Sequence, residues 1–299
     1  MLQFIISLLF SFVNVVSSDF HENIEFIQTH NSKHLSYDLG ENQFINRTYN
    51  HGKYYHTNPY VPDRNYPILT IYSDINHKDK VDWRNKHVVS SVKNQGMCGS
   101  CWAFSATEAV ESEWAIKYNH LYNLSEQELV DCSGYLGNNG CEGGLMKNAF
   151  HYIMDNGICL NKSYPYNASD NTCMNNTCNH IVHITNYSGI IKNSESQLEK
   201  AVQIQPVSVA IQANLQTFQL YKSGIYNDTN CSDDLDHGVL LIGYGYDETY
   251  KMKYWIIKNS WGESWGEKGY MRMAKDINNS IGQCGIAMDP SIPIIHPSK

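Results

Sequence analysis

Nine cysteines lie between Cys98 and Cys284 of a chain of 299 residues, and cross-links over such spans restrict how the backbone can fold. The odd number matters more, because any complete pairing leaves at least one thiol unbonded. An apolar leader runs from Met1 to about Ser18, with Phe4-Ile5-Ile6-Ser7-Leu8-Leu9-Phe10 at its centre and Ser17-Ser18 before Asp19. It predicts a signal peptide over residues 1–18, a secretory route and an oxidising compartment. Nine N-x-S/T triplets, at Asn46, Asn123, Asn161, Asn167, Asn175, Asn186, Asn227, Asn230 and Asn278, fit a glycoprotein on that route. The leader is too short to span a bilayer and no other long apolar run follows, so no membrane span is expected. A net charge of −8 without a basic stripe excludes nucleic acid as a partner.

Residues 19–76 are polar and poor in sustained periodicity. From Val81-Asp82-Trp83-Arg84 onward the pattern becomes compact and cysteine-bearing, which places a boundary near residues 75–80. A helix is predicted from Cys101 to about residue 118, with Ala103, Ala106, Val110 and Trp114 on one stripe. Ser125-Glu126-Gln127-Glu128 is a capping box opening a second helix that ends near Cys132. Leu145, Ala149, Phe150 and Ile153 mark a third, stopped by Gly157, and Ser194-x-x-Gln197 opens a fourth, halted before Pro206. Strands are then predicted at 207–213, 238–246, 253–258 and 269–274. Helices followed by strands imply an α+β protein of two packed lobes with a cleft between them.

The chemistry-bearing stretch is Cys98-Gly99-Ser100-Cys101-Trp102, with Gln95 just before it, His237 136 residues after Cys101 and Asn259 158 residues after it. A thiol nucleophile, an imidazole proton acceptor, an amide to orient that ring and an amide donor for an oxyanion are what thiol-based acyl transfer requires. Cys98-x-x-Cys101 also has the spacing of a redox pair, but turn-like residues precede it and His237 and Asn259 would then have no role. Gly262-Glu263-Ser264-Trp265-Gly266 has the form of a serine-hydrolase elbow, yet a strand rather than a helix is predicted after it. With no second C-x-x-C or H-x-x-x-H, no metal and no cofactor are expected.

The flanks Ser100-Cys101-Trp102-Ala103-Phe104, Asp236-His237-Gly238 and Asn259-Ser260-Trp261-Gly262 give the chain its resemblance to papain-family cysteine proteases of the cathepsin L type. The resemblance implies a helical left lobe (about 86–188) and an antiparallel β-barrel right lobe (about 189–290) within a mature domain, 77–299. It implies a resting thiolate–imidazolium pair of Cys101 and His237, orientation of the ring by Asn259 under the cover of Trp261, and an oxyanion hole from Gln95 and the Cys101 backbone. It further implies the bridges Cys98–Cys141, Cys132–Cys173 and Cys231–Cys284; Cys159 and Cys178 are then left over and are expected to pair with each other. Residues 19–76 would be a shortened propeptide. Phe20, Asn23, Ile27 and Asn31 are similar to the second half of the family's E-R-F-N-I-N helix, whose Glu and Arg would fall at Phe12 and Val16. Gly40-Glu41-Asn42-Gln43-Phe44-Ile45-Asn46 is similar to the G-x-N-x-F-x-D motif, with Asn46 where Asp is usual.

For substrate, the resemblance maps a backbone-binding strip onto Gly143 and Gly144. It maps a pocket for the P2 side chain onto Leu145, Met146, Ala210 and Leu235, with Asp289 at its base and Asp236 alongside. The apolar members favour a bulky apolar P2 residue. Asp289 would also admit a basic one if its carboxylate faces inward, and is otherwise solvated. No His-rich insertion follows Cys141, which implies an endopeptidase. Implied partners are protein and peptide substrates, the chain's own propeptide as inhibitor and cystatin-type inhibitors. A monomer in the lysosome or outside the cell is expected.

Overall fold

The computed structural model describes residues 18–47, 66–71 and 78–296. The expected leader up to residue 17, the positions Phe12 and Val16, and residues 72–77 of the boundary region lie outside the described residues. Helix α1 (Ser18–Asn31) and strands β1 (Tyr37–Leu39), β2 (Ile68–Leu69) and β3 (Val81–Asp82) precede a helical lobe of α2 (Cys101–Tyr118), α3 (Glu126–Cys132) and α4 (Met146–Asn156). A sheet-rich lobe follows: β4 (Asn186–Ile190), α5 (Glu195–Ile204), β5 (Val207–Ile211), α6 (Gln216–Gln219), β6 (Tyr221–Tyr226), β7 (His237–Asp247), β8 (Met252–Lys258), β9 (Tyr270–Ala274) and β10 (Ser291–Ile294). The described strands form one open path, β1-β6-β9-β8-β7-β5-β10-β4-β2, with β3 against β7. The α+β, two-lobe architecture expected from the sequence is present; its right-hand sheet is not a closed barrel.

Local signals set the helix ends. Ser125 accepts the Glu128 amide at 3.0 Å and Ser194 accepts that of Gln197 at 3.3 Å, each satisfying an orphan donor at a helix start. The reciprocal arm of the Ser125 box is absent, because the Glu128 carboxylate is taken by the Cys159 amide and the Tyr152 hydroxyl. Gly157, at φ 77°, ends α4. Helix α2 differs from a one-stripe amphipathic helix: 14 of its 18 residues are buried, because both lobes pack on it. Ser105 Oγ donates to Val239 O and Ser208 Oγ to Ser105 O, so α2 lies directly against β7 and β5. The buried ammonium of Lys258, at the end of β8, meets Glu108 of α2 at 2.7 Å.

All four bridges are present, Cys159–Cys178 included, and Cys101 is the free cysteine. Glu128, Cys159, Cys178 and His180 bring possible metal-ligating atoms within 4.8 Å of one another. Both sulfurs of that group are bonded to each other, and His180 Nε2 sits 2.8 Å from the Glu128 carboxylate. None of the described helices is long and apolar enough to cross a membrane.

The N-terminal segment packs on the sheet lobe. Asn23 donates to Ile45 O and Arg47 O, Asn31 Nδ2 donates to Leu39 O while its Oδ1 accepts the Leu39 amide, and Ile27 is buried. These are the motif positions singled out in the sequence, and each closes a contact that folds the segment back on itself. Strand β1 then pairs antiparallel with β6, and Phe44 is fully buried in the sheet-side core. Asn46 is exposed.

Candidate active site

Cys101 is the first residue of α2, held there by the Cys98–Cys141 bridge and by the Gly99 amide, which donates to Cys141 O at 2.8 Å. The same bridge brings the 141–144 strip alongside. Gly143 adopts φ 117°, and a Cβ on Gly144 would lie 2.7 Å from the Trp102 ring, so both positions require glycine. His237 opens β7 opposite Ile211 of β5. The next residue, Gly238, lies against the Cys101 backbone: a Cβ there would stand 3.4 Å from Cys101 C and 3.1 Å from Met146 Sδ. The loop before α2 and the first turn of β7 therefore meet where the two lobes join.

His237 Nε2 donates to Asn259 Oδ1 at 2.8 Å. The Ser260 amide donates to the same oxygen at 2.8 Å, which identifies it as the carbonyl oxygen and fixes the proton on Nε2. Nδ1 is left without a hydrogen-bond partner among the described residues. Trp261 lies against the His237 ring at 4.7 Å, and Phe44 packs edge-on against Trp261 at 4.9 Å. Gln43 Nε2 donates to Trp261 O. The N-terminal segment thus reaches the active-site cover directly.

Gln95 is buried and fixed from every side. Its Nε2 donates to Cys98 O at 2.9 Å, its Oε1 accepts from Ser260 Oγ at 2.7 Å, and its backbone oxygen accepts from Tyr166. Ser260 and Tyr166 are site-building residues that sequence reasoning missed. A serine beside an expected ligand and one tyrosine among many carry no periodic or spacing signal.

Burial in this closed form acts against the resting ion pair expected above. With Cys101 1% and His237 3% exposed, loss of solvent pushes the thiol up to about 12 and the imidazole down to about 4. Backbone amides of Gly238, Trp102 and Cys101 pull the thiol back, and the Asn259 bond supports the imidazolium, but burial dominates both. In this closed form burial favours the neutral thiol and the neutral imidazole. Asp236, whose carboxylate accepts the Ala213 amide at 2.7 Å, is itself pushed up to about 7 by burial.

Of the pocket residues expected, Met146, Ala210 and Leu235 are buried in one apolar cluster, and Leu145 is the N-cap of α4. Asp289 is neither solvated nor an open inward carboxylate. It is 1% exposed and ion-paired with Lys147 and Lys192. The alternative chemistries lose their geometry: Cys98 is bonded to Cys141 rather than Cys101, and strand β9, not a helix, follows Ser264.

Residues 77–294 match the family of papain family cysteine proteases. The chain is 52% identical over 220 residues to a "Cathepsin L-like" protein of Caenorhabditis elegans, an alignment covering 73% of this chain and 64% of that protein. It is 45% identical to cathepsin L of Sarcophaga peregrina across 92% of this chain and 85% of that one. Among solved structures, a recombinant stem bromelain precursor superimposes with a TM-score of 0.85 at 41% identity, covering 93% of this chain and 90% of that one. A digestive procathepsin L 3 of Tenebrio molitor larval midgut gives 0.84 at 38% identity, with the same coverages. The coincidence of this fold, the lone thiol at a helix start and the histidine–asparagine bond with these similarities settles the matter: the chain belongs to the papain family of cysteine proteases.

Proposed function

We propose that this chain is the precursor of a cysteine endopeptidase, inhibited by residues 19–76 and acting through Cys101, His237, Asn259 and Gln95. The observation that carries the reading is the free Cys101 at the start of α2, with eight other cysteines bridged and the oriented His237 ring on the facing lobe. Departure of the N-terminal segment, which packs on Trp261, rehydrates the cleft. The helix N-terminus and the amides around the sulfur then favour the thiolate, and the proton moves to His237 Nδ1. The thiolate attacks the scissile carbonyl, Nδ1–H passes its proton to the leaving amine, and a thioester forms on Cys101. Water, deprotonated at Nδ1, then attacks the thioester, and the acid product leaves with the thiolate restored. Gln95 Nε2 and the Cys101 amide hold the oxyanion in both halves of the reaction.

Gly143 and Gly144 would receive the substrate backbone, and Met146, Ala210 and Leu235 an apolar P2 side chain. The proform structures among the similar proteins support the inhibitory role of the prosegment. The test is acid activation followed by a fluorogenic peptide with Leu at P2, run beside an insulin-reduction assay. Cleavage without reduction is expected; reduction without cleavage rejects the reading. Replacing Gln95 with Ala is expected to lower kcat by roughly 10²–10³ with the His237–Asn259 bond intact, as loss of one oxyanion donor does.

A further inference from the structure

At the position that the family resemblance maps to the base of the P2 pocket, Asp289 takes part in a charge arrangement that this mapping does not anticipate. Lys147, in the first turn of α4, is 2% exposed, and its ammonium is ion-paired with the buried carboxylate of Asp289. Lys192, partly exposed, reaches the same Oδ1 at 3.1 Å. Buried lysines are rare unless paired, and here two cations share one carboxylate. A peptide side chain already sits on this group. Tyr66 of the N-terminal segment donates its hydroxyl to Asp289 Oδ1 at 2.9 Å and lays its ring 3.6 Å from the Lys147 ammonium. The segment around it runs as a strand beside β4, with Ile68 opposite Gly189 and the Gly189 amide bonded to Pro67 O. So the Lys147–Asp289 pair faces a place where an extended peptide lays down a large side chain.

We propose that Lys147 is a specificity-determining residue, closing the P2 pocket to Arg and Lys. This rests on the endopeptidase reading above. Asp289 alone would invite a basic side chain; with Lys147 bound to it and Lys192 beside it, the three groups sum to one positive charge. A guanidinium entering the floor would meet a carboxylate already neutralised and two like charges, while an apolar or aromatic side chain could cover the pair as Tyr66 does. Discrimination by like-charge contact is how a binding site rejects a competitor without improving its fit to the preferred ligand.

The experiment compares the activated wild-type enzyme with Lys147→Met and Asp289→Asn on peptides carrying Leu, Arg or Glu at P2. Active molecules are counted by epoxysuccinyl titration. The readout is the ratio of kcat/KM for Arg or Glu to that for Leu, which is independent of the amount of folded enzyme. Wild type is expected to disfavour Arg by at least about tenfold, or ~1.4 kcal/mol. Lys147→Met should raise the Arg/Leu ratio roughly tenfold or more, since Asp289 loses the buried ammonium of Lys147. Asp289→Asn should instead raise the Glu/Leu ratio, and it decides the matter if Lys147→Met does not fold. A wild-type enzyme that cleaves the peptide with Arg at P2 as well as the one with Leu at P2 overturns the proposal, as does either folded variant with unchanged ratios. Titratable enzyme that cleaves none of the peptides would instead reject the endopeptidase reading.

Discussion

Replacing Cys101 with Ser is expected to abolish peptide cleavage, lowering kcat/KM by a factor on the order of 10⁴ or more, while leaving the fold intact. Cys101 is bonded to no other cysteine, so the change breaks no bridge. Ser is smaller than Cys but keeps the same branching, and the neighbouring bond from the Trp102 indole N–H to Gly140 O does not involve the Cys101 side chain. What is lost is the chemistry. A serine hydroxyl cannot be ionised by a helix N-terminus and one imidazole near neutral pH, and removing a nucleophile that acts as a unit with its base costs most of the rate. The measurement is steady-state cleavage of a Leu-P2 peptide after removal of the prosegment by an added protease. A melting temperature close to that of the unaltered precursor is the control. A Ser variant that retains more than a few per cent of activity would place the nucleophile elsewhere.

The second large effect is a fall in stability between about pH 4.5 and pH 7. Burial pushes Glu108, Glu113 and Asp236 each up to about 7, and it raises Glu128 and Glu195 as well. A carboxyl whose folded pKa lies above its unfolded value binds its proton more tightly in the folded state. Its contribution is present at low pH and disappears as pH rises through the window between the two values. For Glu108, fully enclosed, a displacement of that size corresponds to about 3 kcal/mol, or roughly 6–12 °C in melting temperature for a domain of this size. His237 opposes this: burial lowers it to about 4, so stability gains with rising pH between about 4 and 6.5. Three carboxyls against one imidazole still give a net fall, and above pH 6.5 only the carboxyls act.

Thermal melts of the Cys101→Ser precursor, which cannot cleave itself, should show this slope. Glu108→Gln mimics the protonated carboxyl, so it should melt close to the unaltered precursor at pH 5 and show a flatter slope above it. A melting temperature that climbs steadily from pH 5 to 7.5 would show that these carboxyls ionise in the fold.

The candidate constellation was readable because each member sits in a local pattern that chemistry explains: a thiol opening a helix, an imidazole opening a strand and an amide near a tryptophan. Helices α2 to α5 were readable for the same reason, since Ser125, Ser194 and Gly157 cap or stop their helices through atoms only a few residues away. Strands β1 and β2 were not, because they are two or three residues long and their partners β6 and β4 lie more than 100 residues along the chain. Lys147 carries no such local signal, because its partner Asp289 lies 142 residues further along the chain. The ionisation of the site was equally invisible, since it depends on how far the fold buries the sulfur and the ring.

One experiment reaches the core of this account: timed labelling of the intact precursor and of the enzyme freed of its prosegment with an epoxysuccinyl inhibitor, followed by peptide mapping. A single adduct on the Cys101 peptide is expected, forming slowly while the thiol is buried and neutral and at least about tenfold faster once the cleft is opened. An adduct on another cysteine, or an opened enzyme whose Cys101 stays unreactive from pH 4 to 7, would mean that this sulfur is not the nucleophile.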